Sequence, residues 1–457
     1  MRFKELFGQK AKYGRLLRLS APLVMSSSGY VLMQFTDAMF LSWYSPVAIA
    51  ASGTAGMLSW LTTSLIIGTV SYTGTITANQ VGAGQDDKIG SVNWQGLYLA
   101  LFCGVITAFL GLGTGWFFKI VGHAEELRIL ETEYLKILLF GGALSFMQCS
   151  LSGFFSGRAD NTRLMIAQLT GQIANVIMDY AMIFGKWGCP EMGVSGAAWA
   201  TVLSNLFPLT MMFWWFFGQK NAERYKSRSD WRLRWSVAKQ LLRFGLPSGF
   251  QMCMDAFLWT LFLLVIGRMG TVELAATTIA FRLNQLAFVP IFGVARSIST
   301  LAGQSHGERN HKDTLAYMGH GLVLCQIWMT LIAFTFAVFS RQYFMLFQSD
   351  SDLGGVHYSE VLAVGSKLMK LMATYTIADS INIALMSGLS AVGDTKWVFK
   401  VMSIATGLTV IAILLVDIFH WGLMTIWSFA TIFIVSLPPL WYYRLRGGQW
   451  KKIRVTA

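Results

Sequence analysis

An all-α polytopic membrane protein, built from twelve transmembrane helices in two duplicated six-helix lobes around a central cavity, is the fold class that this sequence predicts. Three observations carry the expectation: 13% charged against 54% hydrophobic residues, a series of membrane-length apolar runs, and a second half that repeats the first. A soluble chain carries about 25% charged residues, so half of the usual charge is missing. A transmembrane helix needs about 20 apolar residues, so a chain of 457 residues holds roughly ten to fourteen spans with their connections. A secreted or cytosolic enzyme is excluded by this composition.

The spans fall near 17–43, 47–80, 93–118, 129–157, 162–185, 193–217, 240–267, 272–304, 314–338, 358–391, 396–416 and 420–443. The first follows a basic leader but runs on past Tyr30 to Trp43, too long for a signal-peptide core, and reads as an uncleaved span. Several runs exceed the bilayer thickness, which requires tilting, kinking or protrusion. Five cysteines lie scattered with no CxxC or Cys/His spacing, so neither a disulfide framework nor a zinc site is expected.

Net charge is +13. In a soluble protein this points to nucleic acid; in a membrane protein it sets orientation, and no nucleic-acid partner is expected. Lys and Arg concentrate in the N-terminus (Arg2, Lys4, Lys10, Lys12, Arg15, Arg18), the central connection (Lys220, Arg224, Lys226, Arg228, Arg232, Arg234, Lys239) and the tail (Arg444, Arg446, Lys451, Lys452, Arg454). Segment 119–133, on the opposite side, has Glu125, Glu126, Glu131 and Glu133 against Lys119 and Arg128. Both termini are therefore expected in the cytoplasm, as an even number of spans requires. The central cluster also suits an anionic lipid surface.

LLRLSAP at 16–22 returns as LLRFGLP at 241–247, VAIAAS at 47–52 as VELAAT at 272–277, ANQ ending at Gln80 as AGQ ending at Gln304, and SGFFSGRADNT at 152–162 as SGLSAVGDT at 387–395. The offset drifts only from 225 to about 234. The expected organisation is an N-lobe over 1–217, a basic cytoplasmic connection over 218–239, a C-lobe over 240–443 and a basic cytoplasmic tail over 444–457. Two halves with an even span count each have parallel topology about an axis along the membrane normal.

Ionisable groups inside spans are costly, about 2.5–3.5 kcal/mol each on insertion scales, and mark function by default. Asp37 lies in span one, Asp179 in span five, Asp255 in span seven and Asp379 in span ten, two per half. Asn175 and Asp179, four apart, share a helix face; with Asp37 and a hydroxyl such as Thr201 they make an all-oxygen pocket of the kind hard cations prefer. Two close carboxylates cannot both stay ionised cheaply, so such a pocket exchanges Na⁺ or H⁺, and the residues suit either. Arg282 of span eight is a partner for Asp255 or Asp379; a structural bridge and a direct role in substrate or proton handling both fit. Pro22 removes a backbone hydrogen bond within span one and serves either as a hinge or as a static kink. Abundant Met, Phe and Trp could repack around flat cations. No enzyme motif is present: GxxxxGK[ST], GxSxG and HExxH are all missing and the histidines are isolated. No cofactor is implied, and energy must come from an ion gradient or a partner.

Pro22 followed by Asp37, NxxxD at Asn175 and Asp179, GVSGAAWAT at 193–201, LPSGFQMCMD at 246–255, IAFRLNQLAF at 279–288, LAGQ at 301–304 and Asp379 ahead of SGLSAVGDT together resemble the multidrug and toxic compound extrusion (MATE) transporters, in their NorM/DinF-like bacterial branch. The resemblance implies an antiporter of a bacterial inner membrane, monomeric, that exports amphipathic, mostly cationic compounds by alternating access on a H⁺ or Na⁺ gradient. By position it places the N-lobe cation site at Asp37, Asn175, Asp179 and Thr201, and makes Asp255, often Glu in the family, and Asp379 the acidic C-lobe positions. The rival within the same superfamily, a lipid-linked oligosaccharide flippase, would show extra spans and a basic cavity.

Overall fold

The computed structural model describes residues 10–121, 123–347 and 358–456; Arg2 and Lys4 of the basic N-terminus and Ala457 of the tail lie outside the described residues. Among the described residues there are helices and turns and no strand. In chain order the α-helices are α1 (Lys10–Tyr44), α2 (Pro46–Val70), α3 (Tyr72–Gly82), α4 (Ile89–Leu112), α5 (Thr114–Val121), α6 (Glu125–Phe140), α7 (Gly142–Gly157), α8 (Asn161–Ile183), α9 (Gly193–Ser204), α10 (Leu206–Phe216), α11 (Gln219–Tyr225), α12 (Trp235–Met269), α13 (Thr271–Gly307), α14 (His311–Val338), α15 (Ser340–Met345), α16 (Tyr358–Ala391), α17 (Thr395–Ile418) and α18 (Leu423–Arg446).

Ten spans among the described residues are long and apolar enough to cross a membrane; α2 with α3 makes one, α9 with α10 another. The pair α6 and α7, bent by 43° around Gly141, makes an eleventh. α8 is the twelfth membrane-length segment, and its series Gln168, Gln172, Asn175 and Asp179 keeps it out of the apolar set. α1, with 35 residues, is about 52 Å long at 1.5 Å per residue, so it outruns a hydrocarbon core of about 30 Å. Where backbone groups need help, the sequence supplies it: Ser45 caps α2 by accepting from Val47 N–H at 3.2 Å with Pro46 at the first helical position, and Asn310 caps α14 by accepting from Asp313 N–H at 3.1 Å.

The duplication is visible in the helix ends. α1 and α12 each have 35 residues, and Pro46–Gly82 and α13 each have 37, with both ends of each pair offset by 225. The turns repeat as well. Ala159 (φ 63°) and Gly393 (φ 86°) both adopt the left-handed region just before Asp160 and Asp394, whose N–H groups reach back to Phe155 O (2.9 Å) and Leu389 O (3.0 Å).

Two compact units emerge from the packing. Among the described residues one comprises 10–20, 254–302, 310–347 and 358–454, the other 21–121, 123–253, 303–309 and 455–456, so the division crosses α1 beside Pro22 and α12 six residues past Pro247. In the first unit Trp427, Trp441, Trp450, Tyr375, Phe262 and Phe344 are fully buried. The start of α1 is tied to α14 by Lys12 Nζ on Asp313 Oδ1 (2.5 Å) and Arg15 Nη1 donating to Tyr317 Oη (3.3 Å). At the start of α17, Asp394 is buried and takes a two-pronged contact from Arg444 at 2.7 and 3.0 Å, with the guanidinium stacked 5.2 Å from the Trp397 ring.

In the second unit the core forms around Phe154, Phe155 and Phe216. The basic connection folds back on α4 rather than standing free: Trp94 Nε1 donates to Ser227 O (2.8 Å), Gln95 Nε2 to Arg232 O (3.0 Å), and Arg224 pairs with Asp86 at 2.7 Å. α2 and the first part of α12 touch backbone to backbone: a Cβ on Gly68 would lie 2.7 Å from Gly249 Cα. Glu131, one of the acids of segment 119–133, is fully buried and pairs with His123 Nδ1 at 2.8 Å.

Removing one partner of a buried ion pair costs about 3–5 kcal/mol, whereas replacing both with apolar groups is often neutral. Asp394→Ala is therefore expected to lower the unfolding midpoint in detergent markedly, and the double change Asp394→Leu with Arg444→Met to recover most of the loss; thermal scans of the purified proteins measure both.

Candidate functional site

The four intramembrane aspartates sort into two pairs, one in each unit. In the second unit Asp37 of α1 and Asp179 of α8 bring their carboxyl groups within hydrogen-bonding reach of each other. Helical spacing places Asn175 one turn before Asp179 on the same face, and both residues are fully buried. Tyr134 of α6 lies close enough to feel both carboxyls and the Tyr30 hydroxyl. Tyr30, seven residues before Asp37, accepts from Gln34 Nε2 at 3.1 Å. The Thr201 hydroxyl donates to Ala197 O of its own helix (3.0 Å) and to neither carboxyl.

The pair is short of donors. Oδ1 of Asp37, both carboxyl oxygens of Asp179 and both polar atoms of Asn175 are buried without a hydrogen-bond partner. Each buried acceptor left unmet costs on the order of 1–3 kcal/mol. A hydrogen bond between two carboxyls requires that one hold a proton, and a cation between them removes the need for it. Toward the 40–44 end of α1 the surroundings are dry: Phe40, Leu41, Ala48, Ile183, Val194 and Ala197 form a buried apolar cluster, and the Phe40 ring packs 5.9 Å from Tyr180 and 6.0 Å from Phe184.

The other pair is built differently. Asp255 lies within reach of the Trp259 indole four residues on, and Asp379 Oδ1 accepts from Asn382 Nδ2 at 3.4 Å. Asn382 Oδ1 in turn accepts from Trp441 Nε1 at 2.5 Å. The two carboxyls feel each other's charge. Arg282 is exposed and makes no ion pair with either of them among the described residues. Neutral donors from the same unit therefore hold these two acids.

No group of three or more His, Cys, Asp or Glu that could hold a metal occurs among the described residues. Two carboxyls and an amide instead offer oxygen donors of low total charge, a set that fits a proton or a hard monovalent cation better than a transition metal.

The model of the MatE family matches residues 22–181 and 247–415 of this chain. The chain belongs to the MatE family. The two matches begin 225 residues apart and end 234 apart, the offsets of the internal repeat, and each covers one aspartate pair. Thr201 falls outside the matched residues. Among curated proteins, the MATE chain is 26% identical over 446 residues to a probable multidrug resistance protein NorM of Thermotoga maritima, covering 97% of this chain and 94% of that protein. It is 26% identical over 389 residues to a probable NorM of Pseudomonas syringae, covering 84% of each. Among solved structures, a MOP superfamily transporter from Pyrococcus furiosus superposes with a TM-score of 0.86 at 22% identity, and an outward-facing multidrug resistance MATE transporter with 0.85 at 21%, each covering 97% of both chains. These structural likenesses establish the MATE fold.

Sequence reasoning missed Tyr134 and Gln172. Tyr134 lies in an amphipathic stretch with nothing to single it out. Gln172 shares the face of Asn175 and Asp179 at three and seven residues' distance, a signal that could have been used.

Asp179→Asn supplies an N–H donor to the Asp37 carboxyl and removes one acid. It is expected to leave the protein at least as heat-stable as the wild type without added ion, and to abolish the additional stabilisation by Na⁺ or by acid pH that follows from binding to the native state; melting curves at varied Na⁺ and pH read both effects.

Proposed function

We propose that this chain is a multidrug efflux transporter of a bacterial inner membrane, a H⁺- or Na⁺-coupled antiporter that exports amphipathic, mostly cationic compounds by alternating access, with both termini in the cytoplasm. The observation that carries the reading is the carboxyl pair Asp37/Asp179 beside Asn175, in which Oδ1 of Asp37 and both oxygens of Asp179 lack a donor. A buried acid pair that its own protein leaves unsatisfied is complementary to a cation that comes and goes. Family membership and the multidrug resistance names of the NorM relatives support export of drugs as the task.

The chain's residues divide the work. Asp37, Asn175 and Asp179 bind the ion, with Thr201 lending an oxygen. Unbound, two like charges push α1 and α8 apart; ion or proton binding draws them together. Pro22 sits where α1 passes from one compact unit to the other, so a helix lacking one backbone bond there yields at low cost. Asp255 and Asp379, held by neutral donors, attract the cationic substrate. A membrane potential adds about 2.3 kcal/mol per charge per 100 mV, which drives exchange even when it is not electroneutral. The protein works as a monomer in contact with lipid.

The rival, a lipid-linked oligosaccharide flippase, calls for basic groups at the site. The Pyrococcus furiosus transporter is described as having a binding pocket whose reverse polarity suggests a different function, but here the ionisable groups of both pairs are acids and Arg282 is exposed, which favours cations.

Proteoliposomes loaded with a fluorescent cationic dye and given a proton or a sodium gradient separately test the proposal. Export is expected with one gradient and not with the other. Asp37→Asn is expected to abolish the coupled export, and Asp255→Asn or Asp379→Asn to raise the dye KM instead. Full coupled export by both Asp37→Asn and Asp179→Asn would overturn the assignment.

A further inference from the structure

The oxygens without donors do not stop at Asn175. Gln172 lies on the same face of α8, seven residues before Asp179 and so about 10 Å along the axis, with Asn175 between them. Its Nε2 donates to Ser26 O of α1 at 2.9 Å. That bond fixes which end of the amide is which, because a carbonyl oxygen can only accept. Its Oε1 is buried and has no hydrogen-bond partner. The oxygen is directed at α1 where that helix has no side chain: a Cβ on Gly29 would lie 2.2 Å from it. Two turns of α8 thus carry acceptor atoms of Gln172, Asn175 and Asp179 along one face, all buried and all without a donor. The opposite direction from the acids is closed by the apolar cluster around Phe40.

We propose that Gln172 Oε1 forms a second oxygen subsite for the coupling ion, a station through which Na⁺ or a hydrated proton passes on its way to Asp37 and Asp179. The inference rests on the cation-coupled reading of the acid pair. A file of unmet acceptors lowers the cost of moving a desolvated cation through the helix interface, because each oxygen replaces part of the lost hydration. Gln172 is oriented by Ser26, and Gly29 gives it room, so neither α1 residue need touch the ion.

The test uses the full-length protein in proteoliposomes with the same dye and with whichever of the H⁺ or Na⁺ gradients drives the wild type. Gln172→Met keeps the length and removes the oxygen; loss of one ligand to a charged group is expected to raise the half-saturating ion concentration about tenfold, with the dye KM unchanged. Gln172→Glu loses the donor to Ser26 but keeps an oxygen and adds charge; it is expected to hold the ion dependence at or tighter than the wild-type value. A merely structural staple between α1 and α8 would make both variants equally poor, and that result overturns the proposal, as does an unchanged ion dependence in Gln172→Met. If Asp37→Asn destroys coupling while Gln172→Met transports normally, the acid site stands and only the subsite falls. If Asp37→Asn couples normally, both fall together.

Discussion

Carboxyl groups buried without donors set the terms for the rest of this protein. In the hydrocarbon region no water can satisfy a polar atom, so every acid carried into a span must be met by the protein, by a proton or by a cation. Asp379 is met by the Asn382 amide, which Trp441 holds in turn, and Asp255 has the Trp259 indole within reach. Oδ1 of Asp37 and both carboxyl oxygens of Asp179 are left without a donor. The same chemical group therefore has two different physical fates in two related halves, and the difference lies in which neighbours donate.

That asymmetry also explains how a duplicated fold can divide labour. The backbone repeats faithfully: helices of 35 and 37 residues recur at one offset, and left-handed residues recur before Asp160 and Asp394. The polar side chains of the acid site do not repeat. α8 carries Gln172, Asn175 and Asp179 along one face, while α17, its counterpart in the second half, has Thr406 and Thr409 among its buried polar residues and no carboxyl before Asp417. An inherited scaffold holds helices in register, and local substitution decides which half binds an ion.

Much of the fold was legible in advance because a bilayer imposes one simple rule. A span must be about 20 apolar residues and helical, so composition and run length give the helix count; α13 begins and ends close to the expected 272–304, whereas α1 begins at Lys10, well before the expected residue 17. Asp37, Asn175 and Asp179 were legible too, since an ionisable group in such a run is expensive and four-residue spacing defines a face. Packing was less accessible. The central connection is legible as a basic segment, but that Trp94, Gln95 and Asp86 hold it down is not. Glu131 read as part of a solvated acidic segment, yet it is buried against His123. Arg282 read as a partner for an aspartate, yet it makes no ion pair with one.

By itself the sequence determined the membrane class, the repeat and the list of costly side chains, because hydropathy, periodicity and charge are properties of short segments. Only the tertiary structure decided which of those side chains are satisfied. Asp179 and Asp379 look alike in a run of apolar residues; Asp379 meets the Asn382 amide of its own helix, and that amide is held by Trp441, 59 positions away, through packing that no short segment encodes. The unmet oxygens of Asp37, Gln172, Asn175 and Asp179 became visible only once α1 and α8 were brought together.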